Sequence, residues 1–452
     1  WITMNLSLIN ISSPVVTVYF SLPGDSIKYA LNLTEAYGVL VDEKTYPRIL
    51  GLIGDLPNMK YIITTSHVEP VDTTNQPPEG VAILDFADFT NYKSSTDPHL
   101  HQPKDTNDLA LIMFTSGSTG TPKGVMISHK NIIAVTSGIQ DIKQLTKYNT
   151  YAAFLPSAHI FEYFIEMALL SFGSTLGFCT PLTLLDTSPM IKPGTKGDLL
   201  VLKPTIMIAV PLFLERLTKG VIENLRSKSR LKQLLYQNCY AMKIFYRKLG
   251  FKTPILDKLI FKTLRNILGG RLELGIIGGA YISRNVEEFA NINFCPFRQG
   301  YGATETSSAV LFSPVKYLTT GAAGSPLPHC EVKLIAWEEG NCNPEDQFNA
   351  RGEIAISSDC IAMGYYKQEK LTAASFVTDP VTGKRWYLSG DIALVTPDGS
   401  LKIIDRKKDI IKLQHGEYVS LVKVESTIAK NDMIDVVCVA PTKSMVSLVA
   451  LI

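Results

Sequence analysis

Residues Thr115-Ser116-Gly117-Ser118-Thr119-Gly120-Thr121-Pro122-Lys123-Gly124 gather glycines and hydroxyls into one loop that closes on a lysine. Glycine lets backbone N–H groups come close to an anion, and Ser and Thr hydroxyls add donors that rotate to fit. The lysine adds a compact positive charge suited to phosphate oxygens. The spelling departs from Walker A, because Lys123 follows Pro122 and no Ser or Thr comes after it. The loop therefore reads as a phosphate loop of another kind. Taken alone, the same residues also suit an ordinary Ser/Gly-rich turn between a strand and a helix.

Further acids and hydroxyls follow in order: Tyr301-Gly302-Ala303-Thr304-Glu305-Thr306, Ser389-Gly390-Asp391 and Asp405-Arg406-Lys407-Lys408-Asp409. One carboxylate beside phosphates suffices for a magnesium ion, which prefers hard oxygen ligands and keeps several waters. By itself Glu305 could equally be a surface acid at a strand end, and a lone Ser-Gly-Asp means little. His99 and His101, two residues apart, could bind a metal, but they sit in a polar, proline-bearing stretch that reads as an exposed loop.

Such residues need a rigid frame. Short apolar runs at 15–19, 37–41, 61–64, 110–114 and 205–210 alternate with helical patterns, which predicts buried strands in parallel α/β sheets. The apolar stretch 160–179 carries Glu162 and Glu166 and reads as a buried helix, not a membrane span. Residues 219–271 form long helical patterns with Lys and Arg among Leu, Ile, Tyr and Phe. They read as a solvated helical face or as a surface touching anionic lipid headgroups. Residues 321–405 are β-rich, with turns such as Pro397-Asp398-Gly399, and suggest a small barrel-like subdomain. After Arg406 a helix at 422–430 and strands at 435–440 and 446–452 predict the front of a small α+β domain.

Composition narrows the class. With 46% apolar and 19% charged residues over 452 positions, the chain is globular and large enough for more than one domain. A net charge of +2 gives no strong field, so nucleic acid is not an expected partner. Seven cysteines without a CxxC pair fit reduced thiols in a cytosolic setting. The chain opens at Trp1 and stops inside an apolar run, so both ends read as cut, and any membrane anchor is expected before Trp1.

The ordered motifs resemble the adenylate-forming superfamily of acyl-CoA synthetases, luciferases and peptide-synthetase adenylation domains, over essentially the whole chain. Lys196-Gly197-Asp198 with Leu202-Lys203-Pro204-Thr205, Trp337-Glu338-Glu339-Gly340, Met363-Gly364-Tyr365-Tyr366 and Leu413-Gln414-His415-Gly416-Glu417-Tyr418-Val419-Ser420 narrow it to the long-chain acyl-CoA synthetases. The likeness is greatest to the animal branch that includes the arachidonate-preferring form. It implies two parallel-sheet α/β subdomains plus a small β-barrel, in an AMP-binding domain at 1–405 that lacks its first part. A truncated C-terminal domain would begin at 406.

The implied reaction joins a fatty acid, ATP and coenzyme A, with Mg2+, through an acyl-AMP. By resemblance, Ser116, Gly117, Ser118, Thr119 and Gly120 would cradle the outer phosphates beside Lys123. Thr115 and Glu305 would hold the metal, and Thr304 would bond an α-phosphate oxygen. Gly278, Gly279 and Ala280 would lie along the adenine and Tyr301 would stack on it, while Asp391 and Arg406 would hold the ribose. His159 resembles a histidine between acyl tunnel and nucleotide, although a buried structural histidine fits its surroundings as well. Tyr163 aligns with an aromatic tunnel gate. Lys408 would be the hinge of the small domain, and Gly416 would line the coenzyme A approach.

Ala303, Thr306 and Tyr281 depart from the usual long-chain spelling, which implies altered pocket shape with the chemistry kept. The family's adenylation lysine would lie beyond Ile452. This stretch alone is therefore expected to adenylate about a thousandfold more slowly, from ~4 kcal/mol of lost transition-state stabilisation. A fatty acyl-AMP ligase, acyl transfer to a carrier protein and an inactive fatty-acid-binding pseudoenzyme are the competing readings. The resemblance also implies the cytosolic face of an intracellular membrane (endoplasmic reticulum, lipid droplet, mitochondrial outer membrane or peroxisome) and leaves a homodimer open.

Overall fold

The computed structural model describes the chain except for residues 67–69, 92–104, 116–120, 141, 316–319, 417, 429–430, 432–433, 435–436 and 443. His99 and His101 thus lie outside the described residues. The chain forms two compact units. The first joins Trp1–Ile133, Pro156–Ile160 and Ala362–Ala374; the second joins Ala134–Leu155, Phe161–Ile361 and Ser375–Ile452.

In the first unit, strand Leu109–Thr115 is buried from Ala110 through Phe114, as an apolar run covered on both faces should be. It pairs in parallel with Val15–Thr17 and antiparallel with Lys123–Ser128, which pairs in turn with Gly364–Tyr365. This sheet is therefore mixed, with a parallel pair at one side and antiparallel pairs at the other. Gly38–Val41, Tyr61–Thr64 and Ala82–Asp85 make a separate three-stranded sheet, parallel throughout. Its core gathers Ile27, Leu31, Tyr46, Ile49, Met59 and Ile62.

The second unit is built on a seven-stranded sheet. Its order runs Ser325–Pro326, Ser308–Phe312, Phe297–Ala303, Leu274–Ile277, Ile206–Ala209, Thr150–Ala153, Thr175–Phe178. The five strands from Phe297–Ala303 onward are parallel, and the two at the other edge are antiparallel. Ile206–Ala209 and Leu274–Ile277 are buried at every position. Gly275 lies beside Phe297 in the register, and a Cβ there would fall 2.2 Å from the Phe297 ring. The strands can close up because Gly275 yields that volume.

The apolar stretch 160–179 is shorter as a helix than expected. Helix Ile160–Ser171 ends, Gly173 takes φ +76°, and the chain continues as strand Thr175–Phe178. Its two acids are buried, Glu162 at 0% and Glu166 at 1% exposure. Burial pushes the Glu162 carboxyl up to about 9, against the Tyr151 hydroxyl that donates to it at 2.8 Å. The fold thus prefers the protonated acid, and the folded chain holds more protons than the unfolded one between 4.5 and about 9. This contribution to stability is complete below 4.5 and is lost as pH rises through that window. Thermal melts across the window are expected to decline less for Glu162→Gln than for the wild type. Parallel declines would remove Glu162 as the cause.

The β-rich region forms an open antiparallel sheet, where a barrel was expected. Glu331–Ile335, Arg351–Ser357 and Arg385–Val395 pair in series. Phe376–Thr378 then pairs with the start of Arg385–Val395, and Leu401–Arg406 with its end. The sheet forks instead of curling, and no pairing among the described residues closes it. Beyond it come the hairpin Ile410–Lys412 with Tyr418–Ser420, helix Leu421–Ile428, and the pair Cys438–Pro441 with Leu448–Leu451. Glu425 Oε1 accepts the Val439 N–H at 2.8 Å and ties this helix to the last pair. All seven cysteines are free thiols. Among the described residues, no helix is long and apolar enough to cross a membrane.

Candidate functional site

Each unit holds part of the residues singled out in the sequence. In the first, the strands on either side of the Gly/Ser/Thr stretch, Leu109–Thr115 and Lys123–Ser128, pair antiparallel, so a strand and not a helix follows it. Thr115 and Lys123 face each other in the register as the last and first residues of those strands. Ser116, Gly117, Ser118, Thr119 and Gly120 lie outside the described residues. Lys123 Nζ sits 5.4 Å over the Tyr365 ring, so a desolvated aromatic face steadies the ammonium. A Cβ on Gly124 would come 2.9 Å from Ile112 Cγ2, which keeps this position free of a side chain.

His159 lies at the surface with part of its side chain in solvent and part shielded. Its ring meets Tyr19 edge-on at 6.3 Å between centroids. Partial burial holds the imidazole below its ordinary range and pushes the Tyr19 phenol up to about 12. His159 is thus neutral at pH 7 and able to accept or donate one hydrogen bond. Thr17 Oγ1 donates to the Ala158 carbonyl at 3.4 Å, fastening the segment before His159 to strand Val15–Thr17. Tyr163, in the second unit, is buried.

In the second unit, Tyr301, Asp391 and Arg406 come together over large sequence separations. Asp391 and Arg406 are register partners across the fork of the open sheet. The Tyr301 hydroxyl donates to Asp391 Oδ2 at 2.7 Å, and Arg406 Nε donates to Oδ1 at 3.1 Å. Burial raises the Asp391 carboxyl above its ordinary value, while Tyr301 and Arg406 oppose that rise. Each carboxylate oxygen keeps a second lone pair for another donor.

Gly278-Gly279-Ala280 follows strand Leu274–Ile277 directly. A Cβ on Gly278 would come 3.1 Å from the Phe161 ring and 3.4 Å from the Gly300 carbonyl, which places this turn beside the strand carrying Tyr301. Gly279 takes φ +85° with open space where its Cβ would be, and Gly279 and Ala280 are exposed. A flat group can therefore meet bare backbone here. After that strand, Thr304, Glu305 and Thr306 form a 3-10 turn. The Thr306 hydroxyl accepts the Ala303 N–H at 2.9 Å and is buried, so it sets the turn while Glu305 stays half-buried. Lys408 lies exposed in the 3-10 turn Lys407–Asp409, and Gly416 takes φ +91° in the loop before Tyr418.

Sequence reasoning missed Glu353. It is 7% exposed on strand Arg351–Ser357, accepts the Gly390 N–H at 3.0 Å, and accepts Lys407 Nζ at 2.6 Å. One acid thereby braces the backbone next to Asp391 and the residue next to Lys408. No local spelling marks it, because its partners arrive from 37 and 54 residues away.

Residues 1–366 match the family described as AMP-binding enzyme. The chain belongs to the AMP-binding enzyme family. This AMP-binding chain is 37% identical over 434 residues to long chain acyl-CoA synthetase 8 of Arabidopsis thaliana, covering 94% of the chain and 60% of that relative. It is 31% identical over 458 residues to long-chain-fatty-acid–CoA ligase 1 of Schizosaccharomyces pombe, covering 100% of the chain and 66% of the relative. It thus spans under two thirds of the length of these relatives. Among solved structures, the adenylation domain of a carboxylate reductase from Mycobacterium chelonae superposes with TM-score 0.74 at 20% identity, over 99% of this chain and 66% of that one. An anthranilate CoA ligase in complex with anthranoyl-AMP gives 0.72 at 19%, over 100% and 74%. The AMP-binding chain therefore has the adenylate-forming enzyme fold.

Proposed function

We propose that the protein is an ATP-dependent long-chain fatty acid:CoA ligase. The observation that carries this reading is the Tyr301–Asp391–Arg406 link beside the bare Gly278-Gly279 turn, in an AMP-binding family chain whose relatives bear long-chain acyl-CoA synthetase names. The free lone pairs of Asp391 suit two ribose hydroxyls, and Arg406 opposes the rise that burial imposes on that carboxyl. The turn at 278–280 and the Tyr301 ring suit a purine. A fatty carboxylate oxygen then attacks the α-phosphorus and pyrophosphate leaves. The coenzyme A sulfur attacks the acyl carbonyl carbon next, and AMP leaves.

The other residues take the roles their chemistry suits. Lys123, Thr304 and the 116–120 loop offer cationic, hydroxyl and backbone donors to phosphate oxygens. Thr115 and Glu305 present hydroxyl and carboxylate oxygens, the donor types that Mg2+ takes. The ion would neutralise phosphate charge. His159, neutral and exposed, would meet the reacting carboxyl region. Residues 406–452 would turn about Lys408 between the two half-reactions and bring Gly416 to the thiol, with 1–405 as the AMP-binding part.

The test follows AMP, pyrophosphate and thioester with ATP, Mg2+ and palmitate or arachidonate, with and without coenzyme A. Thioester formed in step with AMP supports the ligase. Acyl-AMP without thioester would move the protein to acyl-adenylate ligases or carrier loading. Fatty acid binding without turnover would make it an inactive binding protein.

We also propose that the protein works at the cytosolic face of an intracellular membrane. Support comes from helix Arg230–Lys248, where Leu231, Leu234, Leu235, Met242, Phe245 and Tyr246 are all exposed, Leu231 at 77% and Phe245 at 60%. At 100° per residue these positions share one arc of ~120°, flanked by Arg230, Lys232 and Lys248. An apolar stripe edged with cations suits an anionic bilayer surface. Leu234→Asp with Phe245→Asp is expected to weaken binding to phosphatidylserine vesicles ~10-fold or more, since each buried side chain contributes ~1.5–3 kcal/mol. Unchanged co-sedimentation would remove this helix as the contact.

A further inference from the structure

Among residues given no part in nucleotide binding, His329, Cys330 and Cys360 bring one imidazole nitrogen and two thiol sulfurs within 4.8 Å of one another. Cys330 is 8% and Cys360 0% exposed. Both ring nitrogens of His329 are buried, and among the described residues the only group they meet for a hydrogen bond is the adjacent Cys360 thiol. A buried polar atom without a partner costs ~1–3 kcal/mol unless a ligand satisfies it. The ring lies against Gly138, where a Cβ would fall 1.7 Å from Nδ1, so the imidazole has a fitted seat. Ser358 holds the geometry: its hydroxyl donates to the His329 carbonyl at 2.6 Å and accepts the Cys360 N–H at 3.1 Å. The two sulfurs stand 3.8 Å apart. Zn–S bonds of about 2.3 Å at a tetrahedral angle put two sulfurs about 3.8 Å apart.

We propose that His329, Cys330 and Cys360 form a zinc site with three protein ligands and one open position. One imidazole and two thiolates select a borderline-soft ion. Mg2+, which prefers oxygen donors, is not suited to it. The site joins the end of strand Arg351–Ser357 to the start of Glu331–Ile335, two strands that pair from Glu331 to Ser357. Zinc would staple that end of the sheet, and the ligase reading can fail without affecting it.

The test uses the full chain, reduced and stripped with a chelator, then titrated with Co2+ and Zn2+. One cobalt per chain is expected, with a thiolate-to-cobalt charge-transfer band and a tetrahedral ligand-field spectrum, displaced by one zinc. Cys360→Ser should abolish the band and weaken zinc by ~100-fold or more, because losing outer-shell partners alone costs ~10–100-fold. Cys438→Ser removes an exposed thiol and should leave the spectrum intact. If Cys360→Ser fails to fold, the wild-type spectrum still decides. An octahedral cobalt spectrum without the thiolate band overturns the site, as does a Cys330–Cys360 disulfide in place of metal uptake.

Discussion

Replacing Asp391 with Ala is expected to lower kcat/KM for ATP about a thousandfold, equivalent to ~4 kcal/mol. Hydrogen bonds to a charged group contribute ~1.5–3 kcal/mol each, and Asp391 has lone pairs for two ribose hydroxyls. The substitution also strips the Tyr301 hydroxyl and the Arg406 guanidinium of their shared acceptor. Asp391→Asn keeps one acceptor oxygen but no charge for Arg406, so it should fall between the two. Pyrophosphate release at varied ATP measures the effect, and a melting curve shows whether the variant is folded. A folded Asp391→Ala protein within threefold of wild type would remove Asp391 from nucleotide recognition.

Gly275→Ala is expected to destabilise the second unit by ~3 kcal/mol, the upper range for inserting one methyl into a packed core. The new Cβ would stand 2.2, 2.3 and 2.7 Å from three atoms of the Phe297 ring. Phe297 has 0% exposure and packs within a closed cluster with Met207, Ala209, Phe289 and Phe294, so the ring has nowhere to turn. Trimming the ring should relieve the clash. Gly275→Ala with Phe297→Leu is expected to be more stable than the sum of the single changes, by ~1 kcal/mol or more. Denaturant melts of the four proteins give the cycle. Strict additivity would show that the strand spacing is set by something other than this contact.

How much of this was legible varies with the reach of each interaction. Leu109–Thr115 could be read from its apolar run because burial on both faces leaves a continuous hydrophobic signature. The turn at 278–280 was marked by family resemblance and not by composition, since Gly-Gly-Ala on its own is common. Pairing direction was not legible, since an apolar run does not say which neighbour it meets. The antiparallel pairing with Lys123–Ser128 and the fork on Arg385–Val395 show as much. One glycine at 173, with φ +76°, divided a stretch read as one helix. Glu353 and the His329–Cys330–Cys360 cluster were invisible for the same reason. Their partners are distant in sequence, and a lone acid or an isolated cysteine carries no spacing to recognise.

The Glu353 carboxylate has a thermodynamic corollary. One oxygen holds the Gly390 amide and the other holds Lys407, so a displacement of Lys407–Asp409 changes the charge and position offered to the backbone beside Asp391. Linkage is reciprocal: whatever tightens the grip on Asp391 must bias the posture of Lys407 by the same free energy. A single side chain thus lets a shift of Lys407 be felt at the neighbouring Gly390 backbone without a relay of moving parts.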